Sequence, residues 1–224
     1  MDLLNPGSMG YPYANIYVGP YTASINGGTP TPVICDDFLD DSYIPEFWTA
    51  NIYGGGGPYA GTRMSTLANG SAAPEIRNLT SAQVTQAYNE IGYLAIQLLG
   101  APDPVTSAEI HFALWSVFDT TALPTLEAAA GGPSSSVYQA ALGFYNTAVS
   151  VAAGDNQYIS QFTIYSPDLA APYCGSTVGN TYPSPPQEFL VRTPEPPFFA
   201  VLGVDLTGVG ALIFFLRRRR SVQS

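Results

Sequence analysis

The chain contains no lysine. All seven basic residues are arginines, and only Arg63 and Arg77 precede Arg192. Fifteen acids stand against them up to Glu188. Phosphate recognition needs clustered Lys or Arg, so this balance argues against nucleic-acid binding. The missing lysine also rules out a lysine–asparagine isopeptide crosslink. His111 is the only histidine, so any histidine-dependent chemistry must use it. No phosphate-cradling glycine loop, zinc-ligand spacing or serine triad is present, and Gly54–Gly57 reads as a flexible loop. Asp36, Asp37, Asp40 and Asp41, with Glu46 nearby, form an acidic cluster. It lacks the glycine and terminal glutamate of a calcium loop and reads as a solvated acidic segment. No metal or cofactor is expected.

Apolar residues make up 46% of 224 residues, enough for one domain with a real core. The arginines concentrate at the C-terminus, after an apolar run. Phe198–Leu216 covers 19 positions, and its only charge is Asp205. At about 1.5 Å per helical residue the run reaches roughly 28 Å, close to the hydrocarbon thickness of a bilayer. A mid-span aspartate costs about 2.5–3.5 kcal/mol, partly offset by the surrounding Phe, Leu, Val and Ile. Arg217, Arg218, Arg219 and Arg220 would hold the C-terminus on the cytoplasmic side. Pro194, Pro196 and Pro197 favour an extended approach. Everything before Pro194 is then expected outside the cytoplasm. Export needs a leader, yet Met1–Pro6 has neither a basic stretch nor an apolar core. The expectation is that the true start lies upstream or that the sequence is a fragment.

The order Pro194-Glu195-Pro196, Phe198–Leu216, Arg217–Arg220 resembles the PEP-CTERM sorting signal. The resemblance covers roughly the last tenth of the chain. It implies recognition by an exosortase, a membrane cysteine transpeptidase that cleaves near the motif. It also implies a Gram-negative envelope, often one that makes exopolysaccharide. The protein would sit in the inner membrane as a single-pass protein, and reach the cell surface or extracellular matrix after processing.

Ahead of the tail, residues 1–13 read as a frayed lead-in. Ile16–Ile25 alternates as a strand, interrupted at Gly19-Pro20. Asn26-Gly27-Gly28 is a turn, and Pro32–Phe38 the returning strand. Phe47–Tyr53 is a further strand, and Gly54 to Pro74 a small-residue loop. From Thr80 the apolar residues follow a helical period, with a cap at Thr80 or Ser81 and a stop at Gly100. Two more helices are expected over about Ser107–Phe118 and Ser135–Ala152, then strands at Tyr158–Tyr165 and Gln187–Val191. This pattern predicts an α+β fold, a sheet or sandwich carrying a helical insert. The expected division is an ectodomain over 1–182, a Pro-rich linker over 183–197 and the sorting signal over 198–220.

Cys35 and Cys174 are the only cysteines. In an exported protein they most simply form one disulfide. A second reading starts from Val33-Ile34-Cys35-Asp36-Asp37-Phe38 and His111-Phe112-Ala113-Leu114-Trp115. Together these resemble the thioester domains of bacterial surface adhesins. In that family a cysteine bonds to the glutamine of a Gln-x-Ala-Ile-Trp motif. Here histidine occupies the glutamine position, and imidazole supplies no acyl carbon. A third reading pairs Cys35 with His111 as a thiolate–imidazolium couple, the basis of a cysteine hydrolase or acyltransferase. The alternative for His111 is a hydrogen-bonded structural role one turn before Trp115. Finally, Tyr11, Tyr13, Tyr17, Tyr21, Tyr43, Tyr53 and Tyr59 crowd the N-terminal third with Trp48. Such aromatics suit stacking on polysaccharide as well as ordinary strand packing. The expected protein is structural or adhesive rather than an enzyme.

Overall fold

The computed structural model describes residues 2–4, 11–13, 15–39, 46–70, 73–154, 156–171, 174–175 and 186–193. Seven strands come first: β1 (Asp2–Leu4), β2 (Tyr11–Tyr13), β3 (Ile16–Val18), β4 (Tyr21–Ser24), β5 (Thr31–Cys35), β6 (Glu46–Phe47) and β7 (Ala50–Gly54). Five helices follow: α1 (Arg63–Gly70), α2 (Ser81–Leu99), α3 (Pro104–Trp115), α4 (Ala122–Ala129) and α5 (Ser136–Val151). The chain returns to strands with β8 (Phe162–Pro167), β9 (Cys174–Gly175) and β10 (Phe189–Arg192). The protein is therefore α+β, with its helices inserted between β7 and β8.

The main sheet runs β7-β8-β10-β5-β4-β1-β6-β9, and its pairings are antiparallel. β2 and β3 form a separate hairpin. Side chains alternate across a strand, and here both faces are covered at the centre. On β5 and β10, Ile34 and Leu190 enter the core shared with the helices, whereas Val33, Cys35 and Phe189 pack with Trp48, Tyr21 and Ala23 on the other side. Two-sided burial explains why these strands read as continuous apolar runs.

The helices follow their local signals. Thr80 accepts from Gln83 N, and the Gln83 side chain accepts from Thr80 N, closing a capping box at the start of α2. Asp103 caps α3 through Val105 N and Thr106 N, both at 2.9 Å, and Pro104 takes the first helical position. From Ile110 to Trp115 every residue of α3 is buried, as expected of a helix apolar on all sides. Two glycines permit a close approach. A Cβ at Gly92 would lie 2.4 Å from Ile159 N, and one at Gly55 1.8 Å from Ile159 O. Helix α2 and the loop after β7 can therefore both press against the turn that feeds β8.

Several expectations change. The lead-in is not frayed: Asp2–Leu4 pairs with both β4 and β6, and Tyr11–Tyr13 with β3. The loop expected from Gly54 to Pro74 contains α1, and α4 had no periodic signal over its 8 residues. The second helix starts three residues before Ser107 and ends at Trp115. The compact unit extends to Arg192, not 182, because β10 lies inside the sheet between β5 and β8. A second unit spans Thr193–Ser224, of which only Thr193 is described. Pro194, Glu195, Pro196, Phe198–Leu216 and Arg217–Arg220 thus lie outside the described residues, as do Asp40 and Asp41. Among the described residues, no helix is long and apolar enough to cross a membrane.

Candidate functional site

The end of β5 carries both residues singled out from the sequence. Cys35 is the last residue of the strand, and α3 places His111 beside it. The two meet, but not through the thiol. His111 Nε2 lies 2.8 Å from the carbonyl oxygen of Cys35, and Nδ1 accepts the Gly19 N–H at 2.9 Å. These bonds fix the ring as the neutral tautomer with its proton on Nε2. Burial lowers its pKa from 6.5 to about 4, with the Cys35 carbonyl bond opposing. The ring stacks on Trp115, centroids 3.9 Å apart at 26°. Both ring nitrogens serve the backbone, joining the β3–β4 bend to the end of β5.

The Cys35 thiol donates instead to the Asp37 carbonyl at 3.0 Å. Burial, then the carboxylates of Asp37 and Asp36, push its pKa well above the ordinary thiol value. Neither residue has measurable solvent exposure. A thiolate–imidazolium couple needs an ionised sulfur against a protonated ring, and the surroundings suppress both forms. Cys35 is a free thiol. Cys174 lies in β9, and β4, β1 and β6 stand between it and β5. A disulfide needs Cα atoms within about 7 Å, so the expected bond is not formed.

Immediately past Cys35 the chain enters a buried polar cluster. Asp36 and Asp37 are sealed from solvent, contrary to the expected solvated loop. Asp37 Oδ2 receives the Arg63 Nε at 2.5 Å, and Oδ1 accepts Leu39 N at 3.0 Å. Arg63 opens α1, and its backbone N–H is shared by Ser166 Oγ (2.7 Å) and Glu188 Oε2 (2.8 Å). The positive end of the helix thus faces buried carboxylates. Tyr88 Oη, on α2, bonds Glu188 Oε1 at 2.5 Å and Thr62 Oγ1 at 2.6 Å. Gln187 Nε2 donates to the Asp37 carbonyl at 2.8 Å, the acceptor also used by the Cys35 thiol.

Asp36 differs from its neighbours. No donor reaches either of its buried carboxyl oxygens. Burial, then the charges of Glu188 and Asp37, hold its pKa well above the usual carboxylate range. Glu188 is also raised by burial, but Ser166, Tyr88 and Arg63 N–H offset part of that. Glu188 accepts from Tyr88 Oη and the Arg63 N–H, which favours its charged form, so Asp36 is the carboxyl held more strongly toward its neutral form. Among the described residues, no group of His, Cys, Asp or Glu is arranged to hold a metal ion.

Sequence reasoning found Asp36 and Asp37 but missed Arg63, Glu188, Tyr88 and Ser166. The scarcity of cations, three arginines in an acidic, lysine-free unit, was the available signal, since a buried arginine needs a carboxylate. The described tyrosines differ in exposure, and Tyr43 lies outside the described residues. Tyr21, Tyr59 and Trp48 are buried, whereas Tyr17 is 53% exposed.

Compared with known proteins, the chain matches no family model, no curated protein and no solved structure.

Proposed function

We propose that this chain is an exported bacterial cell-surface or extracellular-matrix protein with a structural or adhesive role, sorted and cleaved by an exosortase. The observation that carries this reading is the order of the C-terminal segments: Pro194-Glu195-Pro196, the apolar Phe198–Leu216 and the four arginines. The charge partition supports it. The segment before Pro194 is strongly acidic, and cationic charge gathers after Leu216. The precursor then spans the inner membrane with its C-terminus in the cytoplasm, and the processed ectodomain passes to the surface or an exopolysaccharide matrix. The cysteine-dependent hydrolase or acyltransferase is less favoured, because Cys35 and His111 are both sealed from solvent and bonded to backbone groups.

The test is the intact mass of the mature protein from an exosortase-bearing host. The chain should lose Phe198–Ser224 there and keep it when the exosortase gene is deleted. Equal masses in the two strains would refute sorting by this route.

A further inference from the structure

Beside Trp48 the surface opens into a cleft of about 180 Å³, lined by Ile25, Asn26, Trp48, Thr49, Ala50, Ile52 and Tyr165. We propose that this cleft binds one ring of a neutral glycan. Its chemistry is mixed in the way a sugar requires. Ile52 and Tyr165 face each other across the β7–β8 pair. They supply the apolar and aromatic surface on which the C–H face of a pyranose packs, with the buried Trp48 at the wall behind them. Asn26 and Thr49 bring an amide and a hydroxyl, donors and acceptors matched to sugar hydroxyls.

The walls are pre-set. Trp48 stacks on Phe189 at 6.0 Å and 26°, so its ring is held from behind. Asn26 sits in the β4–β5 turn at φ 52°, a left-handed position that asparagine tolerates. Thr49 is anchored through its carbonyl, which accepts Asp168 N at 2.9 Å.

Two features select the ligand class. Among the described residues no charged side chain lines the cleft, and the surrounding unit holds fifteen acids against Arg63, Arg77 and Arg192. An anionic polysaccharide is repelled by that field, whereas a neutral one is not. The cleft is also smaller than the roughly 300–1,000 Å³ of drug-sized sites. It accommodates one ring of a chain that continues into solvent. This assignment goes beyond surface sorting, and its failure would leave the exosortase reading standing.

The experiment titrates the full-length chain with cellohexaose, laminarihexaose and mannohexaose, with hexagalacturonate as the anionic comparison, and follows tryptophan fluorescence. The chain has two tryptophans, of which Trp48 lines the cleft and Trp115 lies in the helical core, so a ligand-linked change reports Trp48. At least one neutral hexamer should give a saturable change. Tyr165→Ala should weaken it by roughly tenfold, the scale of a lost aromatic contact. Asn26→Gly keeps the left-handed turn, removes the amide and should weaken it too. Tyr17→Ala, an exposed tyrosine outside the cleft, should leave it unchanged. Thermal melts of each variant separate lost binding from lost folding. The proposal is overturned by no saturable change with any neutral hexamer at millimolar concentration, or by stronger binding of hexagalacturonate. Equal weakening by Tyr17→Ala overturns it as well, as does self-association abolished by Ile52→Asp, which would make a second copy the occupant.

Discussion

Two polar sites flank Cys35, and they solve burial in opposite ways. On one side, His111 has no exposed surface and is fully hydrogen-bonded while neutral. On the other, Asp36, Asp37 and Glu188 crowd around Arg63 with more carboxyl groups than one guanidinium can balance. The first site needs no proton beyond the one on its ring. In the second, burial and the neighbouring carboxylates favour the neutral form of Asp36. The difference teaches that burial alone does not make a titratable residue functional. What counts is whether its neutral form already satisfies its neighbours.

The comparison breaks most severely at Arg63. Replacing it by Met leaves Asp37 buried without its cation, and losing one partner of a buried pair costs about 3–5 kcal/mol. Urea unfolding of Arg63→Met should show that loss, and a midpoint unchanged from the parent would mean the pair contributes nothing. His111→Phe comes next. It strands the Gly19 N–H and the Cys35 carbonyl, at about 1–3 kcal/mol for each buried group. It should also change the acid limb of stability. The folded pKa of His111 is depressed to about 4, so its contribution is complete above the ordinary 6.5 and is lost as pH falls toward 4. The variant should lack that part of the decline, and an unaltered acid limb would contradict a neutral His111.

At low pH, where Asp36 is neutral, Asp36→Asn has the smallest expected effect, and its pH dependence has the opposite sign. Because the folded pKa of Asp36 is raised, its stabilising proton is fully present below the ordinary carboxylate range. Stability is then lost as pH rises toward the folded value, by about 1.4 kcal/mol per pH unit for one proton. Asparagine should flatten that limb and leave the acid limb of His111 intact. Unfolding midpoints measured from pH 4 to pH 9 check both slopes in one series.

Much of the fold could be read from the chain. Thr80, Gly100, Asp103 with Pro104, and the Asn26-Gly27 turn act within a few residues of themselves, so α2, the start of α3 and the β4–β5 hairpin carry local signatures. Helix α1 did not, because Gly61, Asn69 and Gly70 read as loop residues and Met64 and Ala68 earn their place only against the core. Asp2–Leu4 was illegible for a similar reason. Three residues hold as a strand only when β4 and β6 flank them. At the candidate site, Cys35 and His111 could be named from the resemblance to thioester domains and from His111 being the only histidine. Which atoms face each other could not, because His111 meets Gly19 and Cys35 across sequence separations of 92 and 76 residues.

The sequence by itself determined the charge partition, the single histidine, the absence of lysine and the order of the C-terminal segments. Those are properties of composition and succession, and no folding is needed to read them. Tertiary structure alone decided that Asp36 and Asp37 are interior and that Trp48 and Tyr165 border a cleft. Each of these depends on β10 entering the sheet between β5 and β8. That strand brings Glu188 to Asp36 and Arg63, and supplies Phe189 behind Trp48, from about 150 residues away along the chain. Long-range pairing of this kind is set by the burial of two sheet faces at once, which no local pattern encodes.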